Sequence, residues 1–186
     1  MTNPIITHAL QVAAIAHAAQ KRKGTNIPYI IHPVGVMLLA SEVTEDTTTL
    51  AACLLHDVLE DCDPSVYSET DMLRDFGPDV TNTVKAVTKN ESLPSWRDRN
   101  EAYLKHLKES DLDSAFIVCA ADKIHNLTSV LSDHDEIGEA IWERFNAGKD
   151  SQKWWYRSVV TLLQEKVPKN PLIDQLEGLV DTLEAL

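Results

Sequence analysis

The helical spacing of apolar residues is the feature that most limits what this chain can fold into. Apolar residues recur at intervals of three and four along nearly every segment, and no segment alternates strictly between apolar and polar positions. This pattern is typical of amphipathic helices and disfavours β-strands. Because 44% of the residues are hydrophobic and only 6 glycines and 8 prolines interrupt them, the helices can share a core. We therefore predict an all-α fold, a bundle of about nine or ten helices in a single domain over residues 1–186.

Capping residues, glycines and prolines divide this pattern into segments. Ser68 suits an N-cap, and Pro33 and Pro78 suit the first position of a helix. Gly24 favours a helix end. The predicted helices cover residues from about 5–21, 33–43, 47–59, 69–76, 78–88, 96–109, 113–132, 137–146, 150–166 and 171–185.

Charge and targeting signals narrow the class of protein. The net charge of −12 disfavours binding to nucleic acid, which needs a basic surface. The N-terminus lacks the basic start of a signal peptide, and no apolar run approaches the roughly 18 residues that a membrane helix needs. The 3 cysteines, without CxxC spacing, are typical of reduced thiols. We therefore expect a cytoplasmic protein that binds neither nucleic acid nor membranes, and the sequence leaves its oligomeric state open.

Residues 54–61 (LLHDVLED) place one histidine and three acids in the most apolar part of the chain. On a continuous helix these four side chains would share one arc of about 140°, with leucine and valine on the rest of the surface. A helix that is apolar over most of its surface is mostly buried, and unpaired buried carboxylates are costly. A bound cation would remove that cost and would also use the histidine. A solvated polar face on a surface helix is the alternative interpretation.

Residues 116–127 (FIVCAADKIHNL) repeat this combination of an apolar helix and a few polar groups. Asp122, Asn126 and Ser129 lie within about 60° of one another on a helix, and His125 lies beside them. A further imidazole, that of His32, stands at a predicted helix start. Two histidines and two aspartates form a mixed nitrogen and oxygen set, which suits manganese, iron or zinc better than magnesium. We predict one divalent metal ion, with these ligands: His32, His56, Asp57 and Asp122.

Four sequence blocks, in order and with compatible spacing, resemble the hydrolase domain of RelA/SpoT-type proteins, within the HD superfamily of metal-dependent phosphohydrolases. They read AHAAQKRKGTNIPYIIHP, AACLLHDVLED, FGPDVTNTVKAVTK and AADKIHNL. The likeness runs from about residue 9 to 131 and points in particular to the small single-domain alarmone hydrolases. A later segment, WERFNAGKDSQKWWYRSVV, resembles the C-terminal part of the small stand-alone members.

The resemblance implies an HD-type fold and an enzyme that removes the 3′-diphosphate from guanosine tetra- and pentaphosphate, usually with manganese. It implies the same four metal ligands as above. Glu60 and Asp61 match the acidic pair that handles the attacking water. The matches to nucleotide-contacting residues are Arg22, Lys23, Asn126 and Ser129, the last of these standing where the family often has threonine.

Several other residues admit two interpretations. Lys89, Arg97, Arg99 and Lys123 are further candidates for phosphate contacts, although such side chains are usually only solvated. Lys149, Trp154, Trp155 and Tyr156 are expected to pack the C-terminal helices.

Three other functions compete with this hypothesis. The same chemistry could act on adenosine alarmones, since the choice of purine rests on a few pocket contacts. Other members of the HD superfamily hydrolyse ordinary nucleotides or cyclic phosphodiesters. A non-enzymatic module, such as an antitoxin or a nucleotide sensor, could keep the fold, and the loss of a metal ligand would favour it; none is missing.

Overall fold

The computed structural model describes residues 3–186, which form nine α-helices and one 3₁₀ helix. Pairing of β type within this range is limited to one isolated bridge between Lys21 and Pro28. The all-α prediction is therefore confirmed. The elements are α1 (Pro4–Ala16), α2 (Ile31–Ala40), α3 (Thr47–Leu55), α4 (Val58–Asp61), α5 (Glu69–Val87), α6 (Trp96–Ser110), α7 (Asp113–Ile137), η1 (Gly138–Arg144), α8 (Gly148–Lys166) and α9 (Pro171–Ala185).

Helix α7 is the central element, and it packs against α2, α3, α5, α8 and α9. Its buried face carries the small residues Ala115, Ala120 and Ala121, so neighbouring helices can approach closely. The buried Asp122 lies within this face. Helices α2 and α3 both lie against the same helix, and His32 near the start of α2 and His56 at the end of α3 lie 3.2 Å and 3.8 Å from Asp122.

The prediction of a helix over residues 5–21 is wrong at its C-terminal end, because α1 ends at Ala16. Residues 17–30 instead form a loop that is closed by backbone hydrogen bonds. The Arg22 N–H donates to the Ile27 carbonyl at 2.9 Å, and the Tyr29 N–H donates to the Gln20 carbonyl at 3.0 Å. Gly24, at φ +76°, occupies the turn between these bonds, where a left-handed backbone favours glycine.

The prediction of one helix over residues 47–59 is also wrong, because a turn at His56 and Asp57 separates α3 from α4. The His56 side chain explains the break. Its Nδ1–H donates to the Cys53 carbonyl at 2.8 Å, and in a continuous helix that carbonyl would accept the Asp57 N–H instead. The polar residues of 54–61 therefore do not share one arc of a regular helix.

One further prediction is confirmed and another differs from the structure. The predicted helices 69–76 and 78–88 are two helical segments of α5, divided by the non-helical backbone of Gly77, where φ is +77° and ψ is 179°. Helix α7 continues to Ile137, and the segment expected as a helix over 137–146 is the 3₁₀ helix η1. Among residues 3–186, no helix combines the length and the apolar character that crossing a bilayer requires.

Candidate metal centre and nucleotide pocket

The two histidines and two aspartates predicted as metal ligands converge at the middle of the fold. The Nε2 atom of His32 lies 3.4 Å from Asp57 Oδ2 and 3.2 Å from Asp122 Oδ1. The Nε2 atom of His56 lies 3.0 Å from the same Asp57 oxygen and 3.8 Å from the same Asp122 oxygen. Two nitrogens and two oxygens, carried by α2, the α3–α4 turn and α7, therefore surround one small volume.

The other ring nitrogen of each histidine is held by a hydrogen bond. His56 donates its Nδ1–H to the Cys53 carbonyl, which leaves a lone pair on Nε2 in the neutral ring. The Nδ1 atom of His32 lies 3.0 Å from Nδ1 of His125. If His32 donates this hydrogen bond and His125 accepts it, His32 Nε2 also carries a lone pair. Both imidazoles then have the tautomer that metal ligation requires.

Tyr29 holds one of the two carboxylates in place. Its hydroxyl group donates to Asp57 Oδ2 at 2.7 Å, the Asp57 oxygen that lies close to both imidazoles. Burial and the charge of Asp57 raise the pKa of Tyr29 well above its usual value, so the hydroxyl group remains a donor. One oxygen of Asp57 is thereby fixed at the centre of the cluster.

The electrostatics of the cluster keep both carboxylates ionised. Burial alone would raise the pKa of Asp57, but the His56 and His32 rings outweigh it and hold that pKa well below its usual range. Burial also opposes the charge of Asp122, and Lys123 and the two imidazoles together lower that pKa. Burial lowers the pKa of His56, but Asp57 and Asp122 raise it above its usual value. A cation would therefore have to displace a proton from His56.

The geometry of the donor atoms fits a divalent cation. Donor atoms of His32, His56 and Asp57 all lie within 4.8 Å of one another. His56 Nε2 is buried and has no hydrogen-bond partner within residues 3–186, because its contacts with the aspartate oxygens lack hydrogen-bond geometry. A buried nitrogen without a partner is costly, and a metal ion at this point would satisfy it. The arrangement thus forms a possible His/Asp metal site.

The predicted acidic pair lies on α4, beside this cluster. The half-buried Glu60 accepts a hydrogen bond through Oε2 from the Lys89 backbone N–H at 2.8 Å. Burial raises the pKa of Glu60, so its carboxylate takes up a proton more readily than an exposed glutamate. Asp61 is exposed, and its backbone carbonyl accepts a hydrogen bond from the Gln20 side chain at 2.8 Å. The pair therefore combines one fixed carboxylate with one that faces solvent.

A cavity of about 730 Å³ opens next to the cluster and is large enough for a nucleotide. Its lining comes from the basic loop of residues 17–30, from α6 and α8, and from α7. The four predicted substrate-contacting residues all line this cavity: Arg22, Lys23, Asn126 and Ser129.

Two of these four residues connect the loop to the cluster. Arg22 donates through Nη2 to Asn126 Oδ1 at 2.8 Å, and the Asn126 amide donates to Asp122 Oδ1 at 2.5 Å. The other two are held less firmly. Lys23 places its ammonium group 5.6 Å from the centre of the Phe145 ring, and Ser129 donates to the His125 carbonyl at 3.0 Å. A bound nucleotide could recruit all four from these positions.

Comparison with known proteins identifies the family. A model described as the HD domain matches residues 9–149. The chain belongs to the HD domain family. The match covers all of the predicted metal ligands and the acidic pair, so the cluster described above lies within the HD domain.

The relatives of this HD domain include several named alarmone hydrolases. A protein of Xenopus tropicalis named guanosine-3′,5′-bis(diphosphate) 3′-pyrophosphohydrolase MESH1 is 36% identical over 126 residues, which are 66% of this chain and 68% of that protein. A guanosine-3′,5′-bis(diphosphate) 3′-pyrophosphohydrolase of Vibrio cholerae is 42% identical over 98 residues. Those residues are 53% of this chain and only 13% of that protein, so the chain spans a small part of the long relatives.

A solved structure supports the same assignment of the fold. It is described as a metazoan ortholog of SpoT that hydrolyzes ppGpp and plays a role in starvation responses. It superposes with a TM-score of 0.79 at 28% identity, over 100% of this chain and 99% of that one. A Listeria monocytogenes structure superposes with a TM-score of 0.72 at 26% identity, over 83% of this chain and 99% of that one.

Sequence reasoning missed two residues that orient the ligands of the HD domain, Tyr29 and His125. The sequence pattern puts His125 beside the polar residues of α7 and indicates no role for it, yet it contacts His32 directly. Tyr29 stands three residues before His32, and no pattern marks it as a partner of Asp57. The signal for both was their closeness in sequence to a predicted ligand, but only the fold shows which ring atom each contacts.

The further basic candidates divide into two groups. Lys89 and Lys123 line the cavity. Arg97 instead stacks on Trp154, with 3.3 Å between the guanidinium carbon and the ring centre, and Arg99 pairs with Glu91. The expectation that Trp155 and Tyr156 only pack the C-terminal helices is incomplete, because both are buried and both line the cavity.

Proposed function

We propose that this HD domain removes the 3′-diphosphate from guanosine tetra- and pentaphosphate, giving GDP or GTP and inorganic diphosphate. Water attacks the phosphorus that is bonded to the 3′ oxygen, the bond between these two atoms breaks, and the 3′ oxygen gains a proton. The observation that carries the proposal is the convergence of the His/Asp cluster, the acidic pair and a basic nucleotide-sized cavity at one place. The names of the relatives support the choice of substrate.

The proposed metal ligands are His32, His56, Asp57 and Asp122. A divalent ion at this point lowers the pKa of water and offsets charge on phosphoryl oxygens. We propose manganese, with zinc or iron as alternatives, because the ligand set mixes nitrogen and oxygen. The hydrogen bonds from His56 to the Cys53 carbonyl and from Tyr29 to Asp57 hold the donor atoms in position, so the site would lose little freedom on binding the ion.

Glu60 and Asp61 take the proton-handling roles in this proposal. The Lys89 N–H fixes the Glu60 carboxylate, so Glu60 can orient the attacking water and accept its proton. Asp61, which faces solvent, can assist or return a proton to the 3′ oxygen. The raised pKa of Glu60 suits a group that exchanges protons during turnover, because a general base works best when its pKa is near the working pH.

The basic loop and α7 provide the nucleotide contacts. Arg22 already lies 5.7 Å from the centre of the Tyr29 ring, and its planar group could stack on a purine instead. Lys23 supplies charge for phosphate oxygens at the cavity mouth, while Asn126 and Ser129 offer polar contacts to the ribose or base. The local positive charge offsets the repulsion expected from a net charge of −12.

We place the reaction in the cytoplasm, because all three cysteines within the described residues are free thiols and reducing compartments keep them so. The same cavity also fits an adenosine alarmone, which is the second candidate, since its contacts to the base are few.

One assay separates these candidates. The purified protein is incubated with guanosine and adenosine alarmones in the presence of manganese, zinc or a chelator, and diphosphate and the nucleoside product are quantified. We expect release with the guanosine substrate and manganese, and none with chelator. Faster release from the adenosine substrate would shift the proposal to that class. No release from either, with ordinary nucleotides or cyclic phosphodiesters cleaved, would assign the protein to another HD reaction. Nucleotide binding without any release would indicate a sensor.

The variant Glu60→Gln tests the chemistry itself. It keeps the size of the side chain and removes the proton acceptor, so turnover should fall by about 10²–10⁴-fold. Metal affinity, measured by titration calorimetry, should stay near that of the original protein, because Glu60 is outside the cluster. Turnover close to normal would remove Glu60 from the reaction.

A further inference from the structure

The cavity lining includes two lysines whose ammonium groups lie near the same two aromatic rings. The Lys89 ammonium nitrogen lies 5.0 Å from the centre of the Trp155 ring and 5.9 Å from that of Tyr103. The Lys123 nitrogen lies 5.4 Å from the centres of both rings. Two cations from different parts of the chain are therefore brought together in a largely buried place, although like charges repel.

Only one of these two cations has a carboxylate partner. Lys123 is buried and pairs with Asp122. Lys89 makes no ion pair within 4 Å among residues 3–186, although the Glu60 and Asp122 carboxylates are close enough to act on its charge, and its ammonium group lies beside the two rings. Burial and the neighbouring Lys123 lower the pKa of Lys89. An anion between the two ammonium groups would remove the repulsion and would supply the partner that Lys89 lacks.

The lining around the two lysines also contains buried amide groups, which an apolar core would lack. Asn100, which lines the same cavity, is 2% exposed, and its Oδ1 atom has no hydrogen-bond partner within residues 3–186. A buried acceptor without a partner is unfavourable. Gln152, at 7% exposure, adds an amide group to the same lining. A hydrated or partly protonated anion could bond to both amides.

Both lysines adjoin the reacting centre. Lys123 follows the proposed metal ligand Asp122 in the chain, and the backbone N–H of Lys89 holds the Glu60 carboxylate. Arg22 and Lys23 belong to the basic loop, which is another part of the same lining. If the 3′ phosphorus is at the His/Asp cluster and the nucleoside contacts the loop, the two lysines are left for the 3′-diphosphate.

We propose that Lys89 and Lys123, beside Tyr103 and Trp155, form a subsite for the 3′-diphosphate group of the substrate, which becomes the inorganic diphosphate product. The proposal rests on the proposed function for its orientation, but the subsite itself is a binding site for inorganic diphosphate. Its two positive charges offset the negative charge of the diphosphate oxygens while water adds to the inner phosphorus, and the electron pair of the broken bond stays with the 3′ oxygen, which takes up a proton.

The test is the binding of inorganic diphosphate to the metal-depleted full chain, measured by titration calorimetry. The variant Lys89→Met keeps an unbranched side chain over the two rings and leaves the backbone N–H that holds Glu60. We expect it to weaken diphosphate binding by about tenfold or more, as for the loss of a charged partner worth roughly 1.4 kcal/mol. The matched control is Lys85→Met, which removes the same charge four residues earlier, on α5, where Lys85 pairs with the exposed Glu69. It should bind diphosphate nearly as the original protein does.

Diphosphate binding tests the subsite independently of alarmone hydrolysis, which tests the proposed function. Weaker binding in Lys89→Met with normal binding in Lys85→Met supports the subsite, even if the protein hydrolyses no alarmone. Equal binding in all three proteins overturns it, even if alarmones are hydrolysed. Thermal unfolding and manganese titration of each variant show whether the fold and the metal site are kept. Lys89→Gln, which retains a polar end, replaces Lys89→Met if the latter unfolds, and it should show the same loss of binding.

Discussion

The two histidines of the cluster are oriented by different kinds of contact. His56 donates to the carbonyl of Cys53, three residues earlier in the chain. His32 contacts His125, which is 93 residues away. The first contact is made by the backbone of α3 and forms whenever that helix forms. The second needs α2 and α7 to be packed correctly, so it is made only by the complete fold.

A glycine makes the long-range contact possible. Gly35 lies three residues after His32 on α2, and a Cβ atom at this position would overlap the His125 ring. The ring of His125 therefore occupies the space that any other residue at position 35 would fill. On the His56 side no such space is needed, because the acceptor is a backbone carbonyl. The comparison suggests that the His32 side of the cluster is the more easily disturbed by substitutions outside the ligand set.

The largest expected effect is the loss of either imidazole. His32→Ala and His56→Ala should each weaken manganese binding by more than the roughly 10–100-fold that is typical for a residue that supports a ligand. The two losses of affinity should be similar, because each variant removes one nitrogen ligand of the same ion. The two rings differ only in the contact that orients them. Calorimetry measures both, with the exposed His106→Ala as the control. If one variant kept normal affinity, that ring would not be a ligand.

The ligand residues could be predicted because they break the apolar pattern of their helices. Asp122 stands in a run of alanine, isoleucine and valine, and a charge there needs a partner. The helical class was predictable for a related reason, since the 3.6-residue period extends over the whole chain. The position of the break between α3 and α4 could not be predicted. It depends on the hydrogen bond from His56 to the Cys53 carbonyl, which helix propensities do not describe.

The supporting residues could not be predicted because their partners are distant in the chain. Gly35 reads as an ordinary glycine within an apolar helix, and its role appears only when α7 lies against α2. Lys89 reads as a surface lysine, and only the packing of α6 and α8 places Tyr103 and Trp155 beside it. Sequence patterns report the period of one element, whereas these contacts depend on how two elements approach each other.

The second effect is smaller and tests the difference directly. Gly35→Ala should displace His125 and weaken manganese binding by about 10–100-fold, because His32 loses its hydrogen-bond partner. Cys53→Ala, beside the other histidine, keeps the carbonyl that holds His56. It should leave the affinity unchanged, with a cost on the order of 1 kcal/mol in the free energy of unfolding.

A double variant decides whether the glycine acts through His125. Asparagine is smaller than histidine and can place an acceptor oxygen near the position of Nδ1, so Gly35→Ala with His125→Asn should recover part of the metal affinity. If the double variant bound manganese no better than Gly35→Ala alone, the effect of the glycine would come from the packing of α2. Normal affinity in Gly35→Ala would show that the two histidines are equally robust.

The smallest effect concerns how metal affinity depends on pH. It distinguishes His56, which can gain a proton near neutral pH, from His125, which stays neutral there. Asp57 and Asp122 raise the pKa of His56, although burial opposes them, so protons compete with the metal and affinity should fall as the pH is lowered. Burial and the neighbouring His32 lower the pKa of His125 to about 4. At any pH above that value His125 is neutral, and its Nδ1 remains an acceptor. His125→Asn should therefore shift the affinity by a constant factor and leave its slope against pH unchanged between about pH 5 and 8. If the slope of metal affinity against pH became shallower in the variant, His125 itself would bind a proton in this range. The contact with His32 would then be lost at low pH through protonation of His125.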